Sequence, residues 1–254
     1  MKIYFDTEFT GLTKNTDLIS IGLIAENGLT FYGELTDFNI AKCDQWVKDN
    51  VVSKLKYYNK YDYYYKENNH SVEILDSKHR VGVHLNLWLN SFLEEIQFVS
   101  DVAHYDFTLL IDLLTQGKSA LDLPEYITPA VYDINQLMAQ KLDIPMKKAF
   151  DLNREEILVD MHRFTTNADP TYDKHNALWD AFVIKELYSA FTEDVGRLEE
   201  IRDTYTTIGD VTLEQFEYLH INFNDLWMLL LERDSSFLSS LEDKIDKMHV
   251  INNL

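Results

Sequence analysis

The sequence predicts an α/β fold, in which a mixed sheet combines an antiparallel three-strand meander with parallel strands and carries helices on its faces. Two observations indicate this class. The first 35 residues contain runs rich in β-branched and aromatic residues, which favour strands. From residue 81 onward, runs with helical spacing alternate with short strand-like runs, as is typical of parallel strands connected by helices.

The meander is predicted from three successive runs at the start of the chain. YFDTEF occupies residues 4–9, LISIGLIAENG residues 18–28 and LTFYGEL residues 29–35. Asn27-Gly28 separates the last two runs, and this dipeptide is a strong signal for a tight hairpin turn. A polar turn separates the first two runs, so we expect all three strands to be antiparallel neighbours.

Farther along the chain, helices and strands are expected to alternate. Each of them is placed by the spacing of its apolar residues. Residues 193–254 are acidic and have helical spacing, so we expect a domain over residues 1–192 and a helical C-terminal extension over residues 193–254. The expected helices cover residues 43–55, 81–96, 107–114 and 175–191, and the expected strands cover residues 97–103 and 129–134.

Composition narrows the class of protein. Hydrophobic residues make up 46% of the 254 residues, which is ordinary for a globular protein. Cys43 is the only cysteine, so an internal disulfide is excluded, which fits a reducing cytoplasm. The N-terminus lacks an apolar stretch with a cleavage site, and the longest dense apolar run, at 226–231, is too short to span a bilayer. We therefore expect a cytoplasmic protein without a membrane segment.

The formal net charge of −20 restricts how the protein could handle nucleic acid. Proteins that coat nucleic acid usually carry a basic surface, because the phosphates attract it. An acidic protein can still act on phosphates where bound metal ions supply local positive charge. The charge therefore argues against a general nucleic-acid coat and leaves a metal-dependent nuclease open.

Two carboxylates lie at alternate positions of the first predicted strand. Asp6 and Glu8 project from the same face, because side chains alternate along a strand, and residues two apart are separated by roughly 6.5–7 Å. Two acids on one face repel each other unless a cation or a proton neutralises them. Solvated acids at an exposed strand end would account for the pair equally well, so a metal site needs further residues.

Three residues farther along the chain could complete such a site. Asp106 lies where a strand gives way to a helix, a position at which it could also cap that helix, and Asp101 is a nearby rival for the same role. Asp180 shares a helix face with apolar neighbours, where an acid is costly unless it is paired or bound to a metal. His175 lies five residues earlier, about 140° away around a helix, so we expect it in the loop before the helix.

These residue types suit a particular chemistry. Four carboxylates without a nearby cysteine favour Mg²⁺ or Mn²⁺ over Zn²⁺. Two such ions, about 3.5–4 Å apart, can bind the attacking and the leaving oxygen of an in-line phosphoryl displacement. A neutral histidine can take the proton from the attacking water, since its pKa lies near the working pH. The pattern therefore predicts a two-metal phosphodiester hydrolase.

Three motifs resemble those of the DEDDh group of 3′→5′ exonucleases, whose fold is RNase H-like. FDTEFTGL (5–12) resembles the first motif of the group, AHYDFTLL (103–110) the second, and HNALWDA (175–181) the third. The motifs occur in the order and in the strand and helix contexts of that group. The resemblance covers about residues 1–192, and WVKDNVVSKL (46–55) is similar to the small mycobacterial-type exoribonuclease branch.

The resemblance implies the residues of the site. Related enzymes that use tyrosine as the base carry it at the position of Asn176, so the histidine class fits this chain. Many members have an asparagine where this chain has Val102, four residues before the second-motif aspartate, and the match to the motif favours Asp106 over Asp101. The cofactors implied are two divalent ions, Mg²⁺ or Mn²⁺. The metal ligands implied are Asp6, Glu8, Asp106 and Asp180, and the general base implied is His175.

The resemblance also implies a substrate and its contacts. We expect a 3′→5′ exoribonuclease that releases nucleoside 5′-monophosphates from the 3′ end of single-stranded or overhanging RNA. Phe9, Thr10, Gly11 and Leu12 would surround the terminal nucleotide, with the loop backbone or the Thr10 hydroxyl at the 3′ end and Leu12 against the base, and Tyr105 would lie beside them. An ordinary turn would explain the same four residues.

Other functions stay open on the sequence alone. A 3′→5′ DNA exonuclease would have the same residues, because RNA and DNA are distinguished by contacts to the 2′-hydroxyl that no single residue here reveals. A second alternative is a catalytically inactive RNase H-like module that binds nucleic acid or a protein partner. A third is a structural protein whose acids are merely solvated. A homodimer is a further possibility.

A segment rich in lysine and tyrosine, residues 54–70, allows two interpretations. Lys54, Lys56, Lys60 and Lys66 alternate with tyrosines in this otherwise acidic chain. Tyrosine rings can stack on unpaired bases while lysines contact the phosphates of a single strand. The same residues could instead form an amphipathic segment that packs on the domain.

Overall fold

The computed structural model of the protein describes residues 1–160 and 174–194. The predicted C-terminal extension therefore lies outside the described residues, except for its first two positions. The chain divides into two compact units. The first unit comprises Met1–Gln136 and Asp169–Lys185, and the second comprises Leu137–Ala168 and Glu186–Leu254.

A seven-stranded mixed sheet forms the framework of the first unit. Its central strands are rich in Ile, Leu, Phe and Tyr, which pack well on a pleated surface. In chain order the strands are β1 (Lys2–Phe9), β2 (Leu18–Ala25), β3 (Thr30–Leu35), β4 (Tyr64–Asn68), β5 (Ser71–Asp76), β6 (Gln97–Ser100) and β7 (Tyr132–Asp133).

The predicted mixed sheet with an antiparallel meander is confirmed. The spatial order of the strands is β4-β5-β3-β2-β1-β6-β7. β1, β2 and β3 pair as an antiparallel meander, whereas β6 runs parallel to β1, β7 runs parallel to β6, and β5 runs parallel to β3. β1 is therefore a central strand, and its carboxyl end lies in the middle of one edge of the sheet.

The hairpin of β4 and β5 was not expected from the sequence. The turn between the two strands consists of Asn69 and His70, both of which have positive φ angles, 46° and 67°. A two-residue hairpin turn of this kind usually contains glycine, which the sequence lacks here. β4 is also largely exposed and polar, so it has no apolar alternation by which it could be recognised.

The helices differ from the predicted ones mainly at their ends. The helix expected over 81–96 covers 78–90, the strand expected over 97–103 stops at Ser100, and the strand expected over 129–134 contains two residues. No helix of the described residues is both long and apolar enough to cross a membrane. The helices are α1 (Gln45–Asn50), α2 (Lys78–Asn90), α3 (Ala103–Leu114), α4 (Ile134–Leu142), α5 (Met146–Asp151), α6 (Arg154–Asp160) and α7 (Ala177–Ser189).

The two faces of the sheet carry different elements. Ile3 and Phe5 are fully buried on one face, where they belong to the same core cluster as Leu85 of α2 and Leu110 of α3. The opposite face packs against the first half of α7, and a smaller cluster there includes Leu178. The predicted alternation of β1 is confirmed, since Asp6 and Glu8 lie on the α7 face.

Short helices make up the described part of the second unit. They are α5, α6, the end of α4 and the end of α7, which continues as a π-helical turn over Ala190–Asp194. Ala149 and Leu158 are fully buried in these helices. The sequence pattern had predicted no helix or strand over residues 137–160.

Candidate active site

Asp6 and Glu8 lie near the carboxyl end of the central strand β1. In the antiparallel pair with β2, Asp6 is opposite Gly22 and Glu8 is opposite Ser20, so these four residues share one face of the sheet. The register shifts between Glu8 and Phe9, which ends the regular pairing directly after the second carboxylate. Both acids therefore lie at the carboxyl end of β1, directly before the loop that follows the strand.

Gly22 allows α7 to approach these acids. A Cβ atom at this position would overlap with the backbone of Ala177 and Leu178, the first two residues of α7. Only glycine permits two backbone segments to come so close. The start of α7 consequently lies directly on β2 beside Asp6, and this contact brings the third motif to the first.

Glu8, His175 and Asp180 form the first of two groups of potential metal-binding side chains. One ligand atom from each lies within 4.8 Å of those of the other two. His175 precedes α7 with a φ of 68°, and its backbone N–H donates a hydrogen bond of 3.1 Å to the Asp180 carboxylate. The expectation that His175 lies in the loop before the helix is confirmed, and this hydrogen bond fixes the loop to the helix.

Asp6, Asp101 and Asp106 form the second group, again with one ligand atom from each within 4.8 Å of the others. Asp106 is 2% exposed and lies in the first turn of α3. The hydroxyls of Thr7 and Ser100 donate hydrogen bonds to its two carboxylate oxygens. Asp106 is therefore held in a single orientation by β1 and β6.

One expectation about this second group needs correction. Asp106 does not cap α3, because the helix begins three residues earlier, at Ala103, with Val102 in the cap position. Asp101, the rival of Asp106 for the third-ligand role, lies in the same group as Asp106. Both reach Asp6 because the chain leaves β6 at Ser100 and turns so that Asp101 and the first turn of α3 converge on the end of β1.

Burial dominates the electrostatics of this acidic cluster. It raises the pKa of Asp106 to about 7, although the hydrogen bond from Thr7 opposes the rise, while the charge of Asp101 adds to it. Burial also raises the pKa values of Asp6 and Glu8 well above their ordinary range, and the neighbouring carboxylates raise them further. The cluster therefore needs protons or cations to be stable, because its carboxylates cannot all be ionised at low cost.

The side chains fit divalent cations that prefer oxygen ligands. Five carboxylates and one imidazole make up the two groups, and Mg²⁺ and Mn²⁺ favour this donor set. Ser20, directly opposite Glu8, is 1% exposed, and its hydroxyl has no hydrogen-bond partner in the part of the chain that the structure describes. Buried hydroxyls are usually satisfied, so this one indicates that a further polar group belongs at the site.

Residues 9–12 directly follow Glu8, and Tyr105 directly precedes Asp106, so these predicted substrate contacts lie next to the acidic cluster. The rings of Phe9 and Tyr105 stack, with centroids 5.7 Å apart, and Leu12 is 68% exposed. Thr10 is 3% exposed, and its hydroxyl accepts a hydrogen bond of 2.9 Å from the backbone of Asp17. Leu12 therefore exposes apolar surface and Phe9 packs against Tyr105, while the hydrogen bond of Thr10 holds the loop that contains Gly11; the substrate contacts of these residues stay a prediction.

A buried hydrogen-bond network behind α7 was not foreseen. Asn176 donates to the hydroxyl of Tyr32 at 3.2 Å, and that hydroxyl donates to the carboxylate of Glu34 at 2.8 Å. Glu34 is fully buried on the same face of the sheet as Asp6. Gly22, within a strand rich in β-branched residues, was the one local sign that another backbone packs here.

The lysine- and tyrosine-rich segment is in part structural. Tyr57 is buried and stacks on Tyr64 with ring centroids 4.0 Å apart, whereas Tyr61 and Tyr63 are more than half exposed. The backbone N–H groups of residues 56–58 donate to Glu34. This segment therefore packs on the sheet through its tyrosines, while several of its lysines remain at the surface.

Comparisons with known proteins bear on the class. No family model matches the chain. Two curated proteins from two strains of Mycobacterium tuberculosis, each named a 3′-5′ exoribonuclease, are 38% identical over 55 residues, which is 22% of this chain and 33% of each relative. The chain thus matches about one third of the length of these relatives. Among solved structures, S. pombe Pop2p in its Mg²⁺- and Mn²⁺-bound form is similar with a TM-score of 0.50 and 17% identity, over 76% of this chain and 84% of that one.

These findings identify the fold of the chain. The similarity to Pop2p, together with the mixed sheet and its flanking helices, confirms the predicted RNase H-like fold. The name of the two mycobacterial relatives, 3′-5′ exoribonuclease, agrees with the branch that the sequence resembles.

Proposed function

We propose that the protein is a metal-dependent 3′→5′ exoribonuclease that hydrolyses phosphodiester bonds from the 3′ end of single-stranded or overhanging RNA. The observation that carries the proposal is the convergence of two groups of potential ligands, Glu8–His175–Asp180 and Asp6–Asp101–Asp106, at the end of β1. The name of the mycobacterial relatives, 3′-5′ exoribonuclease, supports RNA over DNA as the substrate.

The residues of the cluster have distinct roles in this proposal. Two divalent ions, Mg²⁺ or Mn²⁺, would supply the positive charge that neutralises the carboxylates and the scissile phosphate. The metal-bound form of Pop2p supports this choice of ions. Asp6, Glu8, Asp106 and Asp180 would hold them.

His175 acts as the general base. Its imidazole lies beside Glu8 and Asp180, at the edge of the cluster rather than within the buried group, and its backbone hydrogen bond to Asp180 keeps it there. Neutral imidazole takes a proton from the attacking water. The water oxygen forms a bond to phosphorus as the bond from phosphorus to the 3′ oxygen breaks. The terminal residue leaves as a nucleoside 5′-monophosphate, and the 3′ oxygen of the shortened strand takes up a proton from solvent to become a 3′-hydroxyl.

The test is a time course on 5′-labelled single-stranded RNA and on the matching DNA, with Mn²⁺, Mg²⁺ or EDTA. We expect RNA to shorten stepwise from the 3′ end with either metal and to stay intact in EDTA. Stepwise shortening of both strands would replace the proposal with a general exonuclease. Intact strands under every condition would leave an inactive binding module as the better interpretation.

Two variants separate the ligand from the base. Asp180→Ala should abolish hydrolysis and weaken Mn²⁺ binding, because it removes a ligand, whereas His175→Ala should lower hydrolysis by at least about a hundredfold and spare Mn²⁺ binding. Calorimetric titration with Mn²⁺ and the RNA time course measure both. Hydrolysis by the Asp180 variant would contradict the ligand assignment, and loss of Mn²⁺ binding by the His175 variant would make His175 a ligand.

A further inference from the structure

A cavity of about 600 Å³ opens beside the start of α7. Pockets that bind small ligands have volumes of roughly 300–1,000 Å³, so this one has room for about one nucleotide. Its wall includes Asn176, which directly follows the predicted base His175. The cavity is therefore next to the candidate active site and distinct from the acidic cluster itself. The polar side chains of its wall are those of Ser53, Lys54, Lys56, Asn59, Lys60 and Asn176, together with the Tyr32 hydroxyl.

The wall of the cavity is basic, although the chain is strongly acidic. Among the described residues, three lysines and no carboxylate line it. Lys56 is paired with Glu73 at 2.6 Å, and Lys54 donates a hydrogen bond of 3.0 Å to the carbonyl of Lys174. Lys60 is exposed, and among the described residues no carboxylate lies within ion-pair distance of it. Lys60 is therefore the lysine of this wall whose positive charge no described carboxylate pairs.

The lysine- and tyrosine-rich segment, residues 54–70, is held in a fixed position relative to the candidate active site. Glu34 accepts the backbone N–H groups of Lys56, Tyr57 and Tyr58 at 2.6–3.2 Å. The same carboxylate accepts the Tyr32 hydroxyl, which in turn accepts Asn176. One buried network therefore links the wall that carries the lysines to the residue after His175. The positive charge of Lys54 also reaches Glu8 in the metal cluster.

We propose that this cavity binds a backbone phosphate of the single-stranded substrate, 5′ to the scissile bond, through Lys60. The proposal rests on the proposed exonuclease function and adds a binding site beyond the metal centre. Lysines follow the phosphates of single strands, and the amides of Asn59 and Asn176 can donate to phosphate or sugar oxygens. Because the described residues of the wall include no carboxylate, a polyanion can approach here although the chain has a net charge of −20.

The first experiment measures binding alone. The full chain with Asp180→Asn, which should not hydrolyse the probe, is titrated in Mg²⁺ against a 5′-fluorescein-labelled ten-nucleotide oligoadenylate, and anisotropy is recorded at several salt concentrations. Adding Lys60→Ala should weaken binding several-fold and reduce the slope of log K against log salt by about 0.7, the value for one phosphate contact on a single strand. Lys60→Glu should weaken binding further.

The control is Lys118→Ala, which removes the same charge from an exposed loop residue outside the cavity. It should leave the affinity unchanged, and circular dichroism verifies that each variant is folded. Equal affinities of the Lys60→Ala and Lys118→Ala proteins would overturn the proposal. Weakening with an unchanged salt slope would also overturn it, because a phosphate contact must release counterions.

A second measurement separates this proposal from the proposed function. With Asp180 intact, Lys60→Ala should raise KM for the ten-nucleotide RNA several-fold and change kcat by less than about twofold, since a contact made equally in the ground and transition states affects binding only. If RNA is cleaved and the variant matches the Lys118 control, the function stands and the cavity proposal fails. If binding depends on Lys60 and no strand is cleaved, the cavity proposal stands and the function fails.

Discussion

Asp101 adds a carboxylate to the acidic cluster beyond the four that the motifs supply. Its ligand atom lies within 4.8 Å of those of Asp6 and Asp106, and its backbone carbonyl accepts a hydrogen bond from the amide of Asn135. That hydrogen bond fixes the loop between β6 and α3. In the metal-free protein the added charge raises the pKa of Asp106, beyond the larger effect of burial. We therefore expect Asp101 to repel its neighbours without metal and to help hold the cation when metal is bound.

Asp101→Asn should separate these two effects. Removing the charge should raise the unfolding temperature in EDTA, because repulsion in the cluster falls, and should weaken Mn²⁺ binding by about tenfold, as loss of a metal-site partner typically does. Calorimetry and thermal unfolding measure the two quantities. The control is Asp62→Asn, an exposed aspartate in the Lys/Tyr segment. An Asp101 variant with unchanged Mn²⁺ affinity would show that the four motif acids suffice.

The motif residues could be predicted because each motif is local. D-x-E on a strand and H-x4-D at a helix start are short patterns whose geometry follows from the element that carries them. Asp101 could be noticed but not placed, because its role depends on the turn between β6 and α3, for which the sequence has no marker. Glu34 and Tyr32 could not be found at all, since Asn176 and Tyr32 are separated by 144 positions.

At the scale of elements, the contact between β2 and α7 assembles the site. Asp180 and His175 reach Asp6 and Glu8 only because the backbone of α7 lies against Gly22. Gly33 on β3 is a useful contrast, since a Cβ atom there would meet a side-chain methyl of Val81 in α2 at 2.8 Å, on the other face of the sheet, rather than a backbone segment. Overpacking at these two glycines should therefore have different consequences.

Gly22→Ala should reduce kcat by about a hundredfold or more, because moving catalytic groups by about 1 Å has effects of that size. Overpacking should also cost about 1–3 kcal/mol of stability. Gly33→Ala should lose stability to a similar degree and keep kcat. Urea unfolding and hydrolysis at a temperature where both variants are folded measure these effects. Equal kcat values for the two variants would mean that α7 does not need this close contact.

The sheet was easier to predict than its edges. β1, β2 and β3 have alternating or continuous apolar residues and an Asn-Gly turn, so both their existence and their antiparallel order follow from local signals. β4 is exposed and polar, and the Asn69-His70 turn relies on positive φ angles without glycine. Pairing with β5 stabilises this strand, and such tertiary support is not visible in a short window of sequence.

At the scale of the whole molecule, the negative net charge is the main constraint on binding a polyanion such as RNA. The chain has a net charge of −20, and its candidate active site concentrates five of its carboxylates at one edge of the sheet. The sequence alone indicated that an acidic chain could handle phosphates where bound cations supply local positive charge. The structure adds the basic cavity beside α7, whose lysines were visible in the sequence but could not be assigned to one surface.

The pKa of Asp106 makes the stability of the metal-free protein depend on pH. In the folded chain this pKa is about 7, mainly because of burial, whereas an unfolded aspartate titrates near about 3.9. A raised pKa means that the folded state binds the proton more tightly, so the contribution to stability is full below about pH 4 and is lost as the pH rises through about 7. Burial raises the pKa values of Asp6 and Glu8 as well, so their contributions to stability are also lost as the pH rises.

In EDTA, the unfolding temperature should therefore be higher at pH 5.5 than at pH 8. Mn²⁺ should raise it more at pH 8 than at pH 5.5, because metal ions bind the deprotonated carboxylates and protons compete with them. Differential scanning calorimetry at both pH values, with EDTA or Mn²⁺, tests the trend. Asp106→Asn should reduce the difference between the two pH values in EDTA, while Asp62→Asn should keep it. If the unfolding temperature in EDTA rose between pH 5.5 and 8, the buried cluster would be stable as anions, and a cation would not be needed to hold these carboxylates together.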